Sequence, residues 1–209
     1  MKNISTPVTT ASPEATVNHR SEWERGIPWD RYLEHEVREN AGLWSGVWRR
    51  ARSPEEQLKR LERIGGAWRL LVLSEDWCGD ASNTVPVLAR FAADAPEIEL
   101  RILKRDENPE LMDQYLTNGS RSIPLAILLD GEGCAVGRWG PRPAELQAFV
   151  IHEKRVGVRS AGETYKDTRR WYARDRGVTT IREVVDTIEK ASESPRPVSY
   201  THLTLPTTI

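Results

Sequence analysis

Cysteine is scarce in this 209-residue chain, with Cys78 and Cys134 the only two. Two thiols are too few for a disulfide-stapled secreted scaffold and too few for a structural zinc site, so no metal is expected and any thiol chemistry rests on one position. Long apolar runs are missing as well: none approaches the roughly 20 residues needed to cross a bilayer. Charge of one sign is absent too, since 30 Lys and Arg face 31 Asp and Glu for a net charge of -1. Such a balance offers no long-range attraction to nucleic acid or to an anionic membrane, and neither is an expected partner. The opening stretch from Met1 to Pro7 lacks the apolar core and small-residue cleavage site of a secretory signal, which makes the cytoplasm the expected compartment.

What remains is a globular balance, with 38% hydrophobic and 29% charged residues, and a length that suits a domain of about 110 residues with helical additions. Eight tryptophans are many for this length and belong either in the core or on a flat packing surface. Residues 1–20, rich in Thr, Ser, Pro and Asn, read as a disordered lead. Residues 21–66 read as a helical extension. Within it the spacing of Leu33, Val37, Leu43, Val47 and Trp48 predicts two short helices, and Ser53-Pro54-Glu55-Glu56 predicts a Ser-capped helix with a capping box.

The core is placed at residues 67–156. Trp68–Leu73 is a short apolar run that predicts a buried strand, followed by a helix through Val85, Leu88, Ala89, Phe91 and Ala92 that Pro86 should kink. Ile98–Leu103 predicts a second strand. Asn108-Pro109 opens a helix reaching Tyr115, and Leu125–Leu129 with Cys134–Trp139 predicts a hairpin. This order implies an α/β fold in which a parallel pair of strands is extended by an antiparallel pair, about four strands in all. Residues 157–197 read as C-terminal helices. From Val198 to Ile209 no Asp, Glu, Lys or Arg occurs, and the segment reads as a non-native tail, a reading frame through a sequencing adapter or vector.

Cys78 follows an apolar strand and opens a helix, where unpaired backbone N–H groups and the helix dipole favour thiolate. A lone cysteine is more often a small buried hydrophobe. Its surroundings resemble the thioredoxin superfamily from about Trp68 to Phe149: a buried strand leads to Trp77-Cys78-Gly79, and Pro86 follows eight residues after the cysteine. Asp106-Glu107-Asn108-Pro109 follows the next strand, and Gly119-Ser120-Arg121-Ser122-Ile123-Pro124 precedes the third. The resemblance implies a thioredoxin-like fold and a cis Ile123–Pro124 bond facing Cys78, whose neighbouring backbone would pair with an extended substrate. It is also similar to an uncharacterised bacterial group with a Trp-Cys-Gly-Asp motif, whose members carry Cys or a small residue at the place of Ala81.

The departures from the superfamily pattern bear on mechanism. Ala81 stands where the resolving cysteine would be, and Val72 stands where a buried acid often lies. Asp80 replaces the usual proline, opposing thiolate formation while suiting a helix N-terminus. Ser74-Glu75-Asp76 reads as a solvated turn. Cys134 reads as structural, about 20 Å from Cys78 along the strand it follows. His35 and His152 read as members of solvated helix faces; Arg138 and Arg142, flanking Trp139-Gly140-Pro141, could receive an anionic partner, although exposed arginines usually have no specific task.

Two functions follow. One is a monothiol oxidoreductase in which Cys78 forms a mixed disulfide with a protein disulfide or a low-molecular-weight thiol, shaped by Trp77, Gly79, Asp80, Ala81, Ile123 and Pro124, without a cofactor. The other is a redox-inactive module that holds an extended peptide in the groove beside Pro124.

Overall fold

The apolar run preceding Cys78 becomes the middle of a sheet. In the computed structural model, which describes residues 17–193, β2 (Trp68–Ser74) pairs in parallel with β3 (Ile98–Lys104) and antiparallel with β4 (Leu125–Leu129). From Leu70 to Ser74 every residue of β2 is buried. A strand covered on both faces needs a continuous apolar stretch rather than an alternating one. The hairpin is completed by β5 (Ala135–Trp139), antiparallel to β4.

The sheet has five strands rather than about four, in the order β1-β3-β2-β4-β5. The extra strand, β1 (Ile27–Pro28), lies in the segment read as wholly helical and pairs Ile27 with Ile102 at the sheet edge. Two residues carry no periodicity, and Pro28 is admissible there only because an edge strand leaves one N–H side unpaired.

Around β1 stand α1 (Arg20–Arg25), α2 (Trp29–Arg31) running into a π-helical turn at Tyr32–Glu36, and α3 (Ala41–Arg50). Trp29 stacks obliquely on Trp48 at 5.1 Å and on Trp44 at 6.3 Å, and Tyr32 meets Trp44 at 5.7 Å. This aromatic cluster packs through α3 against α5 (Gly79–Asp94), the helix that Cys78 opens. Five tryptophans, Trp23, Trp29, Trp44, Trp68 and Trp139, are buried, whereas Trp77 is exposed.

The helix α4 (Glu55–Ile64) begins after Pro54 without a side-chain cap. Ser53 does not cap it: the hydroxyl donates to Asp94 at 2.8 Å instead, tying the loop to the end of α5. Helix α6 (Pro109–Asp113) stops short of Tyr115. Helix α9 (Val178–Glu193) buries Ile181, Val184, Val185 and Ile188 in the main core and is clamped to α4 by Arg60, which ion-pairs with both Asp186 and Glu189.

Helices α7 (Ala144–Val156) and α8 (Ala161–Asp175) are different. They share a separate small apolar cluster of Leu146, Val150 and Tyr172, with Phe149 and Trp171 packed against it.

The end of the lead read as disordered is ordered from Val17 onward. Asn18 bridges to Cys134, His19 is buried, and Arg20 starts α1. The remainder of that lead and the tail from Val198 lie outside the described residues.

Candidate functional site

The site is assembled at the C-terminal end of β2. The loop leaving that strand is held from the N-terminal extension: the Asp76 carboxylate accepts from the backbone N–H of Arg38 and of Glu39, each at 2.7 Å. Its carbonyl accepts from Trp44 Nε1 at 3.0 Å and Asn40 Nδ2 at 3.2 Å. Glu75 is buried and accepts from the N–H of Asp106 at 2.8 Å, and desolvation pushes its carboxyl above the usual range. Ser74-Glu75-Asp76 is therefore an anchored turn, not the solvated one expected, because the aromatic cluster of the extension covers it.

Cys78 follows as the N-terminal cap of α5, in extended backbone geometry. Its thiol is 8% exposed and donates to the Ile123 carbonyl at 3.5 Å. The Ile123–Pro124 peptide bond is cis. Gly140, at φ 119°, lets the chain leaving β5 press on this loop, since a Cβ there would stand 2.3 Å from the Pro124 carbonyl oxygen.

The sequence leaves open whether the helix start or the neighbouring carboxylate governs the thiol, and in this setting the balance falls against thiolate. Burial pushes the Cys78 thiol above its ordinary value, and the Asp80 carboxylate adds to the rise. The backbone N–H groups of Ala81 and Asp80 and the Arg142 cation act the other way without overcoming it. Desolvation disfavours the charged form and here outweighs the helix terminus.

Asp80 is not left as a bare charge beside the sulfur. Arg142 pairs with it at 2.5 Å and Tyr172 donates its hydroxyl to the other carboxylate oxygen at 2.9 Å. Arg142 also donates to Gln147 at 2.8 Å. The Tyr172 hydroxyl is held far up its range by burial and by the carboxylate it serves. Arg142, read as an exposed arginine, is thus bound into the site, while Arg138 does remain on an exposed face, donating weakly to the Leu116 carbonyl at 3.4 Å.

Of the residues singled out beforehand, Cys78, Gly79, Asp80, Ala81, Ile123 and Pro124 meet at one end of the sheet, with Ala81 fully buried in the first turn of α5. Trp77 stands outward under the guanidinium of Arg105 at 5.0 Å. Cys134 is a free thiol away from this cluster, accepting from Asn18 Nδ2 at 3.3 Å. Beside Gly79 and Asp80, α8 closes a cleft of about 170 Å³ lined by Arg142, Tyr165, Thr168, Arg169 and Tyr172 among others. Among the described residues no group of three or more His, Cys, Asp or Glu side chains is placed to hold a metal ion. No described helix is long and apolar enough to cross a membrane.

A family model described as thioredoxin matches residues 26–156, well over half of the chain. The chain belongs to the thioredoxin family. Two crystal structures share this thioredoxin fold. One is an HIV epitope scaffold, 22% identical, with a TM-score of 0.66, covering 83% of this chain and 99% of its own. The other is a Pseudomonas aeruginosa protein of unknown function, 24% identical, with a TM-score of 0.64, covering 84% of this chain and 99% of its own. No protein of curated function matches the chain.

The thioredoxin match ends where α7 ends, so α8 lies beyond it, although α8 supplies Tyr172 to the site. Tyr172 and Arg142 were not legible as site residues. Tyr172 is 92 positions from Asp80, and nothing in the spacing of a charged amphipathic helix marks which of its residues will face a distant carboxylate.

Proposed function

We propose that this thioredoxin-family protein is a monothiol thiol–disulfide exchanger. The observation that carries the reading is the position of the Cys78 sulfur: it caps α5, lies 3.5 Å from the Ile123 carbonyl, and has the buried methyl of Ala81 where an internal second thiol would have to stand. In the reaction, Cys78 loses its proton to solvent and the thiolate attacks one sulfur of a disulfide. A new Cys78 S–S bond forms as the old S–S bond breaks and the second sulfur leaves as thiolate. An external low-molecular-weight thiol, of the kind abundant in a reducing cytoplasm, then attacks the mixed disulfide and restores Cys78. Because burial raises the thiol, reactivity climbs with pH past the free-thiol value of about 8.5 rather than reaching a plateau below it.

Mass spectrometry after incubation with a small disulfide tests this. The wild type and Cys134→Ser should each trap one adduct per chain, and Cys78→Ser should trap none. Equal trapping in all three would overturn the single-thiol mechanism.

The burial of that same sulfur favours a second reading, a binding module that holds an extended segment beside Pro124 and keeps Cys78 as a packed hydrophobe. A Cys78→Ala variant that loses no binding or cellular activity would establish it over exchange.

A further inference from the structure

The cleft beside Cys78 has a charge pattern of its own. Three ionisable side chains with a fixed sign line it: Asp80, Arg142 and Arg169. Asp80 and Arg142 are neutralised against each other at 2.5 Å, and Tyr172 takes the remaining carboxylate oxygen. Arg169 has no carboxylate partner among the described residues and only lies over the Tyr165 ring at 5.9 Å. The cleft therefore carries one uncompensated cation, the exposed Arg169, above the first turn of α5. The phenol of Tyr165, half exposed, packs on Gly79, where a Cβ would already meet the ring at 3.3 Å, so the ring forms a wall next to the residue that follows Cys78. A volume of about 170 Å³ leaves room for a small anion.

Resting on the exchange reading above, we infer that this cleft selects the thiol that reacts at Cys78: it takes the carboxylate of a small acidic thiol, with Arg169 as the charged contact and Tyr165 as the wall. A planar anion facing a guanidinium forms charge-assisted, geometrically matched hydrogen bonds that a neutral or cationic thiol lacks. The selective element lies on α8, outside the portion matched by the family model.

The test uses the full chain carrying Cys134→Ser, loaded at Cys78 with 2-thiopyridone from the neutral reagent 2,2′-dipyridyl disulfide. An incoming thiolate attacks Cys78 Sγ, its electron pair forms the new S–S bond, and 2-thiopyridone leaves with the electrons of the old one, giving an absorbance signal. Rates are compared at equal thiolate concentration for 3-mercaptopropionate, 2-mercaptoethanol and cysteamine. The expected order is acid, neutral, cation, with the acid favoured over the neutral thiol by about three- to tenfold, the scale of one partly exposed ion pair strengthened by hydrogen bonding. Arg169→Gln should collapse that ratio towards one, while Arg174→Gln, an exposed change on the same helix, should keep it. Equal rates for acid and neutral thiols in the wild type, or a preference that survives Arg169→Gln, would overturn the inference and leave monothiol exchange standing. Failure of Cys78 to load at all would overturn both.

Discussion

The charge beside the sulfur sets how the site responds to single substitutions. Asp80 raises the Cys78 thiol and Arg142 lowers it, and the two are held together, so changing either moves the thiol in a defined direction. Asp80→Asn removes the like charge and releases the cation, so the thiolate fraction at pH 8 rises and alkylation by iodoacetamide becomes faster. Arg142→Gln leaves the carboxylate unopposed, so alkylation becomes slower. Both variants lose stability, by about 1–3 kcal/mol, because each strands a partly buried hydrogen-bonding partner. A pH profile of alkylation and a urea titration read the two effects separately, and shifts of the same sign in both variants would contradict the pairing. Cys78 itself was legible as the candidate residue from the motif around it. Its protonation was not, because helix position is local information whereas desolvation depends on Ile123, Tyr172 and other residues far along the chain.

At the scale of elements, the core strands were readable because burial on both faces imposes continuous apolar runs at Leu70–Leu73 and Leu125–Leu129. The edge strand β1 and the capping of α4 were not, since a two-residue pairing has no period and Ser53 had a competing partner in Asp94. The α7–α8 pair shows a different division of labour. It supplies Arg142's neighbour Gln147 and the Tyr172 hydroxyl, yet its apolar residues form a cluster separate from the main core. Elements with few contacts to the core open at lower free energy than the strands. Amide hydrogen exchange in α8 should therefore proceed through local opening, and that in β2 only through global unfolding. Leu146→Ala, at a side chain 1% exposed, should cost about 2–5 kcal/mol locally, speed exchange across α8 and raise Cys78 alkylation along with it. Protection of α8 equal to that of β2 in the wild type would show the pair to be part of the core.

For the molecule as a whole, the first described residues fasten the chain start to the β4–β5 turn and to the segment after α6. Asn18 pairs with Cys134 beside the β4–β5 turn, and His19, 2% exposed, is hydrogen-bonded to the Tyr115 hydroxyl at 2.6 Å. Burial holds the His19 imidazole below its ordinary value, with Glu22 opposing the shift. The sign follows: below about pH 6.5 the unfolded chain takes up the proton first, so this contribution to stability is complete above that pH and is lost as pH falls towards the folded-state value. Thermal unfolding between pH 7.5 and 5.5 should show Tm falling on the acid side, with a shallower slope in His19→Gln. Tyr115→Phe should cost on the order of 1 kcal/mol at pH 7.5 by removing the hydrogen bond. An identical slope in wild type and His19→Gln would assign the acid loss to other groups.

The order of strands and helices from Trp68 to Trp139, the place of Cys78 at a helix start and the absence of a partner thiol at Ala81 were all determined by local pattern: apolar runs, turn residues and spacing act over a few positions and leave their mark in the chain. Only the tertiary structure decided that Asp80 would be matched by Arg142 and Tyr172, that α8 would form the wall of a cleft beside the thiol, and that the loop before Cys78 would be fastened by Arg38, Glu39 and Trp44. These contacts join residues dozens of positions apart, and their energies depend on burial that exists only once the sheet and its covering helices have closed around them.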